Sequence, residues 1–338
     1  MVPAARFSEL LADIEPSATT KDRASSAHNA VRKHLEEHDT FSDRWVSSFL
    51  SGSYARSTSI RPTASVDGKE RPDVDIIVVT NFTEDDTPEA VLKEVRRALE
   101  DGDDGYPVER TNKRSVRVET WQAEMDIVPV IEAYSGYKIA DRETGEWQFT
   151  NPPKHTTWSS ENNLKFDGRF KPLVKLFKWW RRINPSGRRP KGFVLEVLVS
   201  LHAPKNETHY GEAFAQLLEN VRDAYSLMTE LGTKPAITDP ANPAGDILSK
   251  VTLPQWKDFL EKVRVYADVA RRAQNANDDD EATRLWTRVF GDRFDRARPK
   301  PKVKAESLAT QATAPAAATV GYTFPDKPVA PTTPRGFA

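Results

Sequence analysis

From Pro72 to Val79 the chain reads PDVDIIVV, an apolar run rich in β-branched residues that carries two carboxylates at its head, Asp73 and Asp75. Side chains of this kind favour a buried strand. Residues two apart on a strand project to the same face, so Asp73 and Asp75 stand together. A second apolar run, MDIVPV, encloses a lone Asp126. Burying a charge among apolar neighbours is costly unless something compensates it, so three acids in such settings call for a shared cation. Mg²⁺, with Mn²⁺ as a substitute, suits hard carboxylate oxygens, and two ions about 3.5–4 Å apart can clamp both sides of a phosphoryl transfer. Gly52-Ser53 follows a third apolar segment, VSSFL. Gly52 lets backbone approach a phosphate closely, and Ser53 offers a hydroxyl and an N–H. Each feature taken singly has a plainer use: Asp-X-Asp is common in turns and salt-bridged strand ends, and Asp126 alone could pair with a buried Arg.

Around these segments the hydrophobic period changes along the chain. Thr19 to His38 places Ala27, Val31 and Leu35 on one helical stripe, and Thr87-Pro88 opens a second helix with Val91, Val95 and Leu99 on one face. Val46 to Leu50, Val108 to Thr111, Ser115 to Thr120 and Trp121 to Glu132 read as strands, followed by a hairpin, GYKIADRETGEWQF. From Asn162 onwards the pattern is helical. Gly102 to Gly105 reads as a turn, too acidic to cradle phosphate. The expected division is a mixed α/β lobe over residues 1–160, a helical lobe over 161–297, and a Pro/Ala/Thr-rich tail over 298–338 that holds 7 of the 24 Pro and cannot build a core.

Composition removes several classes of chemistry. With no Cys there is no thiolate nucleophile, disulfide framework or Cys-based metal site. His155 and His209 match no metal spacing. No stretch approaches the roughly 20 apolar residues of a membrane span and the first residues lack a signal-peptide core, so a cytoplasmic protein without membrane association is expected. The formal net charge of -1 argues against a dedicated duplex-DNA binder. Locally the balance differs: Lys165 to Lys191 contains ten Lys or Arg and one acid, Asp167, a segment that would attract triphosphates. Trp179 and Trp180 fall within it and are expected in the core.

SGSYARSTSIRP, PDVDIIVV and EMDIVPV together resemble the DNA-polymerase-β-like nucleotidyltransferase superfamily, and within it the bacterial cyclic-oligonucleotide synthases (CD-NTases), relatives of DncV and of the animal cyclic GMP-AMP synthase. The resemblance implies a two-lobed α+β fold, with a mixed sheet core and a C-terminal helical lobe, and places the N-terminal helix on the helical lobe. It also implies an enzyme that uses Asp73, Asp75 and Asp126 to hold the metal and activate a ribose hydroxyl, joining nucleoside triphosphates, ATP among them, into a cyclic di- or trinucleotide for antiphage defence. PLVKLFKWW and KGFVLEVLV are similar to the family's helix pair: Lys178 matches a phosphate-binding Lys, Gly192 replaces a Ser, and Phe193 matches a base-stacking Tyr. An E1/E2-like ligase acting at Ala338 is a further implied partner. The DNA-sensing zinc element of the animal enzyme has no counterpart, so direct DNA sensing is not expected. Two rivals are a template-independent RNA or tRNA nucleotidyltransferase, which would use the same carboxylates, and a non-catalytic nucleotide-binding adaptor.

Overall fold

The structure, a computed structural model, describes residues 2–64, 68, 70–187 and 189–296. Helices α1 (Ala4–Ile14) and α2 (Ala18–Glu37) precede strand β1 (Trp45–Ser51), the one-turn helix α3 (Gly52–Ala55), β2 (Asp73–Thr80) and α4 (Pro88–Glu100). Strands β3 (Val108–Thr111), β4 (Val116–Glu119), β5 (Glu124–Ala133), β6 (Gly136–Asp141) and β7 (Glu146–Thr150) complete one sheet. Helices α5 (Pro152–Lys165), α6 (Phe170–Ile183), α7 (Gly192–His202) and α8 (Tyr210–Glu230) follow, then a small hairpin of β8 (Thr238–Asp239) and β9 (Asn242–Asp246). Helices α9 (Leu253–Asn275), α10 (Asp279–Phe290) and α11 (Asp292–Arg296) close the described chain.

The sheet is mixed, in the order β1-β2-β5-β4-β3, and β5 lies parallel to β2. The far edge of β5 is shared: its first half pairs with β4 and its second half with β6, both antiparallel. Strand alternation assigns the two faces. Val74, Ile76, Val78, Met125 and Ile127 pack under α2 and α4, while Ile77, Val79, Val128 and Val130 form a smaller strip on the other face. Asp73, Asp75 and Asp126 stand at the open end of that second face, because they keep its parity. Helices α5 to α11 enclose a separate aromatic-rich core in which Trp180, Trp256 and Trp286 are completely buried. The α+β class, with a mixed sheet and a helical C-terminal region, is as the sequence predicts.

Several local readings need correction. Helix α1 escapes the sequence analysis, and it is α1 that crosses to the helical core, through Phe7, Leu10, Leu11 and Ile14. Helix α2, the one expected there, packs on the sheet instead through Ala24, Ala27, Val31 and Leu35. Helical structure begins at Pro152 rather than Asn162, because Asn151 caps the Lys154 N–H and Pro152 occupies the first turn. Strand β5 starts at Glu124, since Thr120 and Ala123 close a turn between their backbones at 2.9 Å. Thr87 caps α4 as expected, and Gly102 to Gly105 is a turn. Trp179 and Trp180 are both core residues, the Trp179 indole donating to the Phe290 carbonyl at 2.9 Å. His209 caps α8. The expected division at residues 160/161 falls inside α5, and the tail expected over 298–338 lies outside the described residues.

Phe7 carries the docking of α1. It is fully buried, and its ring meets Trp286 edge-on at 5.1 Å and Phe294 at 5.2 Å. Phe7→Ala is expected to cost about 3–5 kcal/mol, the usual range for emptying a buried aromatic site. Chemical denaturation reads this directly, and a loss under 1 kcal/mol would show that α1 is not integral to the helical core.

Candidate active site

Parallel register sets the geometry of the carboxylates. Asp75 pairs across β2 and β5 with Asp126, and Asp73 with Glu124, so four acids gather at the same end of the two strands. Burial and repulsion from Asp73 and Asp126 push the Asp75 carboxyl up to about 6. Asp73 is also raised, by the protein around it and by Asp126 and Glu124, with Arg117 pulling the other way. The Asp75 side chain has no hydrogen-bond or ion-pair partner among the described residues. Asp126 is firmly held: Asn112 and Ser115 donate to its Oδ1 at 2.9 and 2.8 Å, and Arg117 to its Oδ2 at 2.6 Å.

Gly52 lies directly over this cluster. Its φ of +66° favours glycine, and a Cβ added there would land on Asp75 Oδ2, so no other residue fits without displacing the carboxylate. The turn from β1 into α3 thereby brings the Gly52 and Ser53 backbone against the acids.

On the helical side Lys178 projects from α6 and is almost wholly buried. It donates to Glu196 Oε1 at 2.8 Å and to the Thr58 carbonyl and hydroxyl at 3.1 Å each. Arg56 meets the same carboxylate through two 2.9 Å bonds. Burial would push Glu196 up, but Lys178 and Arg56 outweigh it and hold it at about 2. Gly192 sits against the Lys178 side chain, where an added Cβ would lie 3.3 Å from Cε, so the absent Ser would press on that lysine. Phe193 has the Arg56 guanidinium 5.0 Å above its ring and His155 edge-on at 4.6 Å.

Gly52, Ser53, Asp73, Asp75, Asp126, Lys178 and Phe193 all line one cleft of about 920 Å³ between the sheet and the helices. Sequence reasoning missed Arg56, Thr58, Glu196 and Arg117. Arg117 alone left a signal, since Ser115 to Thr120 was readable as a strand on which Arg117 alternates with Val116 and Val118. The basic segment is less available than its charge implies. Lys175 pairs with Glu15 at 2.6 Å, Lys178 is held as above, and Arg181 donates to the Gly187 and Arg189 carbonyls at 2.8 and 2.9 Å. Lys191 lines the cleft, and its side chain has no partner among the described residues.

Residues 1–163 match the model of the Second Messenger Oligonucleotide or Dinucleotide Synthetase domain. A cyclic AMP-AMP-AMP synthase of an Acinetobacter species is 47% identical over 335 residues, covering 98% of this chain and 97% of that protein. The chain belongs to the bacterial CD-NTases. A more distant member, the cyclic AMP-AMP-GMP synthase of Enterobacter hormaechei, is 26% identical with 98% and 99% of the two chains covered. The Bradyrhizobium diazoefficiens CD-NTase CdnG, solved in complex with GTP, shares the fold with a TM-score of 0.69 at 17% identity, over 87% of this chain and 97% of its own. As a CD-NTase the chain is a nucleotidyltransferase that makes a cyclic oligonucleotide. No helix of the described residues is long and apolar enough to cross a membrane.

The donor set of this CD-NTase fits a hard divalent cation. Asp73, Asp75 and Asp126 share one face in register, and their mutual repulsion, visible at Asp75, is what a bound cation would relieve. As the side chains stand, no three acids or histidines among the described residues close on a single point, and Arg117 pairs with both Asp73 and Asp126, at 3.0 and 2.6 Å. A carboxyl raised above its ordinary value favours the folded state only when protonated, so ionised Asp75 destabilises the metal-free fold at neutral pH. Asp75→Asn is therefore expected to raise the Tm in EDTA above pH 6, with the gain vanishing below about pH 4, near the ordinary carboxylate value. Thermal melts across that range check it, and a pH-independent difference would remove Asp75 from the strained cluster.

Proposed function

We propose that this CD-NTase condenses ATP into cyclic AMP-AMP-AMP, in a reaction that requires Mg²⁺ or Mn²⁺. The observation that carries the product is the 47% identity, running through nearly the full length of both chains, to a synthase of that name. In this reading Asp73, Asp75 and Asp126 are the metal ligands. The bound ion would neutralise charge on the triphosphate and lower the pKa of the attacking ribose hydroxyl. Asp126, fixed by Asn112 and Ser115, would accept that hydroxyl's proton. The Gly52-Ser53 turn offers backbone N–H and a hydroxyl to the phosphates, and the absence of a Cβ at Gly52 lets them come near Asp75. Lys178 reaches the cleft wall from α6, and its positive charge, with that of Lys191, favours bound triphosphate. Phe193 supplies a ring for an adenine, and stacking of this kind contributes about 1–3 kcal/mol per base.

Purified protein incubated with Mg²⁺ and each triphosphate singly and in pairs is expected to form the cyclic trimer from ATP alone, identified by mass spectrometry. Asp73→Asn with Asp75→Asn should lower that rate at least ~10³-fold with an intact fold, and Phe193→Ala should raise KM for ATP with little change in Tm. A product that needs GTP, or a linear extension of an added RNA, would overturn the assignment. Cytoplasmic residence and a role in antiphage defence belong to the same reading. Phage plating on a host carrying the intact operon should fall, and recover with the double Asp variant.

Conjugation at Ala338 by an E1/E2-like ligase is also proposed, on a tail that lies outside the described residues. Co-expression with the partner is expected to give a covalent higher-mass species that is lost on deletion of Gly336 to Ala338. An adduct unchanged by that deletion, or no adduct at all, refutes it.

A further inference from the structure

Among the described residues, Arg117 is the one side chain that touches three of the four clustered acids. It sits on β4 opposite Asp126 in the antiparallel register, so its guanidinium emerges on the carboxylate face. One terminal nitrogen donates to Asp126 Oδ2 at 2.6 Å and to Asp73 Oδ1 at 3.0 Å, and the other bonds to Glu124. Its Nε faces Glu109 at 3.6 Å without a hydrogen-bond partner. The side chain is only 12% exposed, whereas Asp73 remains 63% exposed. A delocalised, permanently charged fork held at this depth is a cation already in place among the acids.

We infer that Arg117 is a resident counter-cation that competes with the divalent ion, and that ion entry frees Asp73 and Asp126 Oδ2 from it, so that Arg117 sets how weakly metal binds before a triphosphate arrives. The inference rests on the metal reading above. Two physical points support it. Asp126 Oδ1 already accepts from two donors, Asn112 and Ser115, so Oδ2 is the oxygen with capacity left for an ion, and Arg117 occupies it. Asp73 is joined to Asp126 through the same guanidinium nitrogen, which holds both carboxylates to Arg117 and leaves Asp75 as the acid that has no partner of its own. A triphosphate would bring negative charge to the cleft and offset the cost of moving a guanidinium away from its carboxylates. Metal and nucleotide then bind cooperatively, and free metal alone binds poorly. Arg117 acts through the carboxylates and is a positioning residue.

The opposite role is equally definite in its consequences. If Arg117 only orients Asp126 as a ligand, removing it should weaken metal binding by about 10- to 100-fold, the usual cost of losing a group that orients a metal ligand. The experiment measures Mn²⁺ binding to the full chain without nucleotide, by electron paramagnetic resonance of the free ion. Arg117→Met and Arg117→Gln, which remove the charge, are expected to bind Mn²⁺ about tenfold more tightly than the wild type, because a positive charge close to the ion has been removed. Arg117→Lys, which keeps the charge without the fork, should stay within about threefold. The advantage of the neutral variants should shrink when a non-hydrolysable ATP analogue is added. Equal or weaker binding in both neutral variants overturns the inference. The Asp73→Asn with Asp75→Asn variant separates the two layers: if it binds Mn²⁺ like the wild type, the metal reading itself is wrong, whereas lost binding there without tightening in the Arg117 variants refutes only the counter-cation role.

Discussion

Parallel pairing of β2 with β5 is the constraint on which the site depends. The side-chain period of a strand is two, so a one-residue slip would turn the carboxylates of the slipped strand to the face opposite those of its partner. In the observed register Asp75 faces Asp126 while Ile77 faces Val128 and Val79 faces Val130, and the apolar pairs further along the strands resist that slip by their burial. Like charges are thereby forced together at one end of a ladder whose other end is apolar. Asp75 carries the electrostatic cost, and the same cost makes the cluster receptive to a cation.

The second constraint is Glu196. A fully buried carboxylate is tolerable only when its charge is matched, and here two cations match it, Arg56 from the sheet side and Lys178 from α6. Thr58 completes the arrangement by donating its hydroxyl to Glu196 at 3.0 Å. Because Arg56 and Thr58 lie just beyond the Gly52-Ser53 turn, the helical lobe is tied to the segment that covers the acids. The position of Lys178 relative to Asp75 is therefore fixed by a buried anion rather than by surface contacts. Removing one partner of such a set costs more than the set contributes to stability, since it leaves an unmatched buried charge. The ties between the lobes and the chemistry of the cleft thus share residues.

Much of the site was legible because its signals are local. Asp73 and Asp75 announce themselves by sitting two apart at the head of an apolar strand, and Gly52 by its place at the end of an apolar segment. The strands and most helices follow from periods of two and 3.6 that need no knowledge of neighbours. Phe193 and Lys178 were identified by similarity to a helix pair, and both do line the cleft.

What the sequence could not determine is which charges meet. Arg117 and Asp126 are nine residues apart, Lys178 and Thr58 are separated by 120, and Arg56 and Glu196 by 140. None of these pairings leaves a periodic trace, because a salt bridge depends on strand register and on how two lobes dock. The same applies to the first two helices, each amphipathic by its own pattern. Only packing decided that Phe7 would fill the helical core while Val31 and Leu35 covered the sheet. Local sequence determined the elements and the acids. Tertiary structure decided the counter-ions, because an apolar stripe records that it must be buried and not against what.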